Sequence, residues 1–457
     1  MRQVFQICEF GTIRQHTGTE QNTFKEIYLD RFTFESMITF VLENQGQNTE
    51  GEKAFTLYRK NRQDCIKVRN YVGVIELKNG TSIEILPKIF QIETPENIKE
   101  TKVIFLRMLR TMQDTPFASL PEASLKVQDN FPILEIFISH FLKELDKVVQ
   151  KGIRQDYKTE QGNTPFLKGK LLLSEHLKHN LGKKHQFYTE YSDYSKDNSQ
   201  NRIIKNTLQI LRGISRNFHN NSKIIKYIAY LQDIPMSQNI TKDLHQATQN
   251  NRLFRHYDLL LSWCELFLSK KSFTNFSGSS VNTAMLFPME RVFESYIAKL
   301  FKRYANNYSI QSQSKGCFLV ERHVFKSNGK TSELFGLKPD LILDNQNPEI
   351  IDRFVIDTKW KILNSSYTNS KQPYNISQAD IYQLFAYGKK YVHYKENDRE
   401  NSIISYPKLI MIYPKNINFE ERLPTFEYDK DLKMEVVPFD ILSTNLQEQI
   451  YSILQKI

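Results

Sequence analysis

The sequence predicts a mixed α/β protein, α+β over its whole length. It divides into a β-rich N-terminal domain (residues 1–98), a mainly helical connecting region (99–284) and a C-terminal α/β domain (285–457) with a mixed sheet flanked by helices. Three observations carry this. Short apolar runs bounded by turn residues fill the first hundred positions. Apolar residues at three- and four-residue spacing dominate the middle. After the Ser-, Asn- and Gly-rich segment SFTNFSGSSVNTA (272–284), helix, strand, strand, strand, helix and strand patterns follow in turn.

Within the first region, Phe34, Met37, Ile38, Val41 and Leu42 put a helix over 31–44. FTLYRK, CIKVRNYVGVIEL and TSIEILPKI read as strands, the last two joined by Lys78-Asn79-Gly80-Thr81, whose Asn-Gly favours a tight hairpin. Arg59, Lys60, Arg62, Lys67 and Arg69 cluster at the preceding connection, either as a solvated sheet edge or as a docking surface. In the middle, TKVIFLRMLRTM is one striped helix. NFPILEIFISHFLKELDKVVQKG is a second, closed near Gly152, and further helices fall at 201–214, 222–232 and 250–270. The last region starts with PMERVFESYIAKLFKRYA, a helix with Pro288 near its first turn. It continues through ISQADIYQLFAYGKKYV, where Ser377 is a plausible N-cap with Asp380 three residues on, to the buried strand KLIMIYP.

A length of 457 residues calls for two or three domains, and the hydrophobic content of 40% is that of an ordinary globular protein. The net charge of +11 points to a polyanionic partner. Cys8, Cys65, Cys264 and Cys317 are widely spaced, which excludes a zinc framework and a disulfide scaffold and suits a reducing cytoplasm. The N-terminus lacks a signal-peptide core, and no apolar run approaches the roughly 18 residues that span a bilayer, so no membrane is expected.

The chemistry concentrates in LKPDLILDNQNPEIIDRFVIDTKWKIL, residues 337–363. Leu341 to Leu343 and Phe354 to Ile356 read as two strands, with turn chemistry from Asp344 to Glu349. Folded as a hairpin, the stretch brings Asp340 near Asp357, and strand alternation turns Asp357 and Lys359 to one side. Two carboxylates and an ammonium at one point can hold a divalent metal and align a water against a phosphate. Pro339-Asp340, sixteen residues, then Asp357-Thr358-Lys359 matches the PD-(D/E)xK nuclease signature. On the preceding helix Glu294 adjoins the buried side marked by Phe293 and Ile297, where it could reach the metal or its water shell. On the following helix Asp380, Gln383 and Tyr387 share one face, placing Gln383 and Tyr387 to steady the lysine or contact the DNA backbone.

Other signals fail. Gly329-Lys330-Thr331 resembles the end of a phosphate-binding loop, but Val324 stands where its first glycine belongs, so the chain should bind no nucleotide by itself. His176, His179 and His185 fit a basic helix and turn. Asp193, Asp197 and Asn198 fit loop and cap positions rather than a calcium loop.

At three places in the right order the sequence resembles the McrC family, the nuclease subunits of McrBC-type modification-dependent restriction systems. The resemblance rests on YVGVIELKNGTSIEILPKI, then GIRQDYKTEQGNTPFLKGKLLL with FYTEYSDYSKDNSQNRIIKNTLQIL, and finally LFPMERVFESYI, LKPDLIL, VIDTKWKIL and ADIYQLFAYGKKY. It implies a C-terminal PD-(D/E)xK restriction-endonuclease-like domain. It also implies an N-terminal region that docks on a McrB-like AAA+ GTPase ring and stimulates its GTP hydrolysis, with double-stranded, methylated DNA recognised by that partner. The family's acids fall on Asp340 and Asp357, its lysine on Lys359 and its helix acid on Glu294. The expected cofactor is Mg2+, with Mn2+ able to substitute, held by Asp340, Asp357, the Thr358 carbonyl and, as a further ligand, Glu294. Two other readings stay open: an adaptor that activates the GTPase and clamps DNA with a vestigial site, and a nuclease that works without a partner.

Overall fold

The computed structural model describes residues 3–44, 54–90, 94–113, 115–121, 131–183, 185–248, 252–268, 281–314, 316–327, 329–347, 349–369, 372–394 and 403–455. The N-terminal part comprises β1 (Val4–Cys8), β2 (Thr12–Gln15), β3 (Glu26–Leu29), α1 (Arg31–Glu43), β4 (Phe55–Lys60), β5 (Gln63–Val68), β6 (Tyr71–Leu77) and β7 (Ser82–Leu86). The helix expected over 31–44 is α1, capped by the Asp30 carboxylate on the Thr33 amide. The Asn-Gly hairpin joins β6 to β7. One sheet has the order β3-β2-β5-β4. The basic cluster sits around its β4–β5 hairpin, where Arg59 pairs with Asp64 at 3.0 Å.

The other N-terminal sheet has the order β1-β7-β6-β11, and β11 (Val281–Pro288) comes from far along the chain. Residues 281–284 of the linker-like stretch are therefore the first half of a strand, and 272–280 lie outside the described residues. Gly73 makes this pairing possible: at φ +141°, a Cβ there would lie 1.9 Å from the Met285 carbonyl oxygen.

The middle of the chain carries the helices α2 (Pro95–Leu109), α3 (Ile133–Lys151, ending at Gly152), then α4 (Leu173–Asn180), α5 (Ser199–Ile214), α6 (Phe218–Tyr230), α7 (Ile240–Ala247) and α8 (Asp258–Leu268). It also carries a three-stranded sheet that the helical expectation misses, β8 (Asp156–Thr164) and β9 (Lys170–Leu171) on either side of β10 (Phe187–Ser195). DYKTEQGNT and FYTEYSDYS are largely solvated strands, so they show no apolar alternation. His179 pairs with Glu175 at 3.2 Å on α4, and Asn198 caps α5 on the Asn201 amide.

The C-terminal part runs α9 (Met289–Tyr304), β12 (Tyr308–Ser312), β13 (Cys317–Val324), β14 (Thr331–Leu337), β15 (Leu341–Asn345), β16 (Arg353–Thr358), α10 (Gln378–Lys390), β17 (His393–Tyr394), β18 (Ile403–Ser405), β19 (Lys408–Pro414), β20 (Phe426–Glu427), β21 (Lys433–Phe439) and α11 (Leu446–Gln455). Its mixed six-stranded sheet has the order β12-β15-β16-β19-β21-β20, with β16, β19 and β21 parallel. Gly329-Lys330-Thr331 lies at the β13–β14 hairpin, with Thr331 opening β14.

Alternation splits this sheet between two cores. Leu341, Leu343, Phe354 and Ile356 face α9 and join one continuous core that reaches back to Ile7 in β1. Ile342, Val355, Leu409 and Met411 face α10, where Leu384 and Tyr387 pack. A Cβ on Gly388 would lie 2.6 Å from Leu432, so the missing side chain lets α10 approach the sheet closely. No described helix is long and apolar enough to cross a membrane.

Candidate active site

The β15–β16 hairpin forms in the register its apolar runs imply, with Leu341 opposite Ile356 and Leu343 opposite Phe354. The first strand runs further than expected, through Asn345. Asp344 is a strand residue paired with Arg353 at 2.6 Å rather than part of the turn. Asp340 lies at the head of β15, and one of its carboxylate oxygens accepts from both the amide and the hydroxyl of Thr358, each at 2.7 Å. The two ends of the hairpin are thus tied across the site.

Asp357, 1% exposed, lies 2.6 Å from the Lys359 ammonium. Lys359 donates its backbone N–H to the Ile412 carbonyl of β19 at 2.9 Å, and its side chain reaches α10, where it donates to Gln383 Oε1 at 3.1 Å. Gln383 Nε2 donates to the Tyr387 hydroxyl at 2.6 Å, and that hydroxyl donates to the Lys338 carbonyl at 3.1 Å, two residues before Asp340. This closes a ring of contacts from Asp357 through Lys359, Gln383 and Tyr387 back to the Asp340 segment. The helix carrying it starts at the expected cap, with the Ser377 hydroxyl on the Asp380 amide at 3.2 Å.

Electrostatically the site is crowded with negative charge. Burial, reinforced by Asp357 and Glu294, pushes Asp340 well above the usual carboxylate range against the two Thr358 hydrogen bonds. Burial also raises Asp357 in spite of Lys359. Glu294 is raised by burial, with Gln313 and Arg291 opposing and Asp357 adding repulsion. Burial alone would lower Lys359, but Asp357 outweighs it and holds the ammonium above its ordinary value. Tyr387 is pushed up to about 12, by burial first and Asp357 second.

Glu294 stands at the rim. Its Oε1 accepts from Gln313 Nε2 at 2.8 Å, beside a cavity of about 170 Å3 lined by Arg291, Ser295, Ser312 and Gln313. Among the described residues no three His, Cys, Asp or Glu side chains form a ready metal-binding group, although Glu294 is near enough to add repulsion at Asp340. The pair Asp340 and Asp357 remains. Its all-oxygen chemistry suits Mg2+, which is commonly held by one or two carboxylates, with waters and substrate phosphate oxygens completing the shell.

Several residues that set this geometry were not legible beforehand. Gln313 holds Glu294 with its side chain and donates its amide to the Asp340 carbonyl at 3.1 Å from the end of β12, a stretch with no motif. Asp380, expected at the Ser377 cap and on the Gln383 face, is buried and pairs with Lys361 at 2.9 Å. Here a signal existed: Asp357, Lys359 and Lys361 recur at two-residue spacing.

A family model described as McrBC 5-methylcytosine restriction system component matches residues 66–414, more than half of the chain. The protein therefore belongs to this family of restriction-system components. Its fold resembles a chain of the refined half-complex from a tetradecameric assembly of Thermococcus gammatolerans McrB AAA+ hexamers with bound McrC, with TM-score 0.67, 17% identity and 99% of each chain covered. It also resembles a chain of the cryo-EM structure of the Thermococcus gammatolerans McrBC complex, with TM-score 0.50 and 20% identity over 67% of this chain and 89% of that one. No curated protein matches the sequence.

Proposed function

We propose that this chain is the McrC-type DNA endonuclease subunit of its restriction system, with a PD-(D/E)xK site that hydrolyses phosphodiesters in Mg2+. The observation that supports it most is the ring joining Asp357, Lys359, Gln383 and Tyr387 to the Asp340 segment at paired strand ends. Asp340, Asp357 and the Thr358 carbonyl would hold Mg2+. When bound, the ion supplies Lewis-acid polarisation of the phosphoryl oxygen and neutralises charge on the leaving oxygen. The Lys359 ammonium, kept charged by Asp357, donates hydrogen bonds that orient the attacking water and the scissile phosphate. Gln383 and Tyr387 fix the rotamer of that lysine. The water oxygen bonds to phosphorus and gives up a proton to solvent, the opposite P–O bond breaks, and the leaving oxygen takes a proton from solvent, so the strand ends as a phosphate monoester and a hydroxyl.

By analogy with the assembly of McrB AAA+ hexamers with bound McrC, the partner is a McrB-type AAA+ GTPase whose hydrolysis this chain stimulates. Methylated double-stranded DNA is the substrate, selected by that partner. The net charge of +11 supports sequence-independent affinity that weakens as salt rises. Cleavage of methylated plasmid by the full chain with its GTPase, GTP and Mg2+ should fall about a thousandfold in Asp357→Ala, on the order of 4 kcal/mol of transition-state stabilisation. Cleavage at the wild-type rate by that variant would mean the site is elsewhere. A second reading, a GTPase-activating DNA clamp that does not cut, draws on the absence of a three-carboxylate cluster among the described residues. It predicts full GTPase stimulation with no cleavage in Mg2+.

A further inference from the structure

Strand alternation sends Lys359 toward α10 and the next residue, Trp360, to the opposite side, against the N-terminal sheets. Trp360 is 6% exposed, and its ring lies 5.2 Å from Phe293, the neighbour of Glu294 on α9. Its indole N–H donates at 2.7 Å to Glu9, a side chain 351 positions away in sequence and 1% exposed. The same Glu9 oxygen accepts from the Lys88 amide at 2.9 Å, just after β7, and the Glu9 amide donates to the Leu86 carbonyl at 2.9 Å. The carboxylate is thus fixed to the edge of the N-terminal sheet and grips the residue beside the site lysine.

Packing does not fix Trp360 unaided. Beside the Glu9 contact lies a cavity of about 270 Å3, lined from the N-terminal side by Phe10 and Phe90 and from the C-terminal side by Ile362 and Leu442. With space on that side, the Glu9 hydrogen bond adds to the orientation that packing on Phe293 supplies. Beyond Lys359 the chain leaves the sheet, since residues 359–364 belong to no strand, and Trp360 is the first buried anchor after β16.

We propose that Glu9 is a positioning residue for the site lysine: through Trp360, the N-terminal sheet sets the path of the backbone that carries Lys359. This rests on the nuclease reading above. The N-terminal region is then more than a platform for a partner, because one of its carboxylates helps hold the site in register. A movement of β1 or the β7 edge is transmitted to Lys359 through this contact.

The test uses the full chain with its GTPase on methylated plasmid, comparing Glu9→Ala, Glu9→Gln, Trp360→Phe and the double variant Glu9→Ala/Trp360→Phe, each first checked for cooperative melting. Glu9→Ala and Trp360→Phe should each lower the single-turnover cleavage rate about tenfold, as expected for a lost buried hydrogen bond, with DNA half-saturation unchanged. Glu9→Gln keeps an acceptor oxygen and should cut at close to the wild-type rate. The double variant should be no slower than either single one, because both remove the same contact. Losses that multiply in the double variant, a Glu9→Gln as slow as Glu9→Ala, or a folded Glu9→Ala cutting at the wild-type rate would each overturn the positioning role. A wild-type chain that does not cut at all, or Asp357→Ala that cuts normally, would instead overturn the nuclease reading beneath it.

Discussion

Two buried acidic centres in this molecule are built on opposite principles. In the N-terminal sheet, Glu84 of β7 is fully buried, yet every demand it makes is met. Lys102 of α2 lies at 3.0 Å, Gln6 donates at 2.9 Å and the Ile133 amide donates at 2.5 Å. At the end of β16, Asp340, Asp357 and Glu294 are all raised by burial; Asp357 and Glu294 add repulsion at Asp340, while Lys359 opposes at Asp357 and Arg291 at Glu294. The first centre is neutral and complete by itself. The second keeps an excess of buried acid, which a divalent cation would relieve under the proposed function.

The comparison is most sharply broken by removing the cation of the complete centre. Lys102→Met leaves a charge with no ionic partner in the core and should cost about 3–5 kcal/mol in denaturant unfolding, whereas removing one acid at the β16 site should cost little. A loss under about 1 kcal/mol for Lys102→Met would show that Glu84 is not held in this way.

Glu9 lies between the two cases, with an indole and an amide as partners and, among the described residues, no cation within hydrogen-bond reach. Burial, its first cause, lifts it to about 7 against the hydrogen bonds from Lys88 and Trp360. The folded state keeps a proton that the unfolded chain gives up from about pH 4.5 upward, so stability falls as pH rises toward 7 and stays lower beyond it. Glu9→Gln removes that loss. It should stabilise the chain by roughly 3 kcal/mol at pH 8 and by under about 1 kcal/mol at pH 5, measured as paired denaturation curves. An equal gain at both values would contradict the raised titration.

The smallest effect is expected at Tyr387→Phe. It deletes the hydroxyl between Gln383 and Lys338 while keeping the ring in the core, and should slow cleavage about tenfold without changing the melting temperature.

The same contrast explains what was legible in the sequence. The β15–β16 hairpin, the Ser377 cap and the Asp357–Lys359 pairing follow from local rules of alternation, turn chemistry and spacing, and the structure places them accordingly. The sheet of β8, β9 and β10 was missed because its strands are solvated and carry no apolar period. Glu9 and Gln313 gave no local signal, since each acquires its role from a partner brought up by the tertiary fold, 351 and 19 positions away. The strand Val281–Pro288 was obscured by the linker composition ahead of it, although Gly73 marked the place where another backbone passes.

The most direct test of an acidic site waiting for a cation is a Mg2+ titration of the full chain and of Asp340→Asn, followed by thermal melting and by cleavage of methylated plasmid with the GTPase supplied. The wild type should gain melting temperature with Mg2+ and begin to cut over the same concentration range. Asp340→Asn should melt no lower than the wild type without metal, show no Mg2+-dependent shift and leave the plasmid intact. An Asp340→Asn chain that responds to Mg2+ and cuts like the wild type would contradict the account.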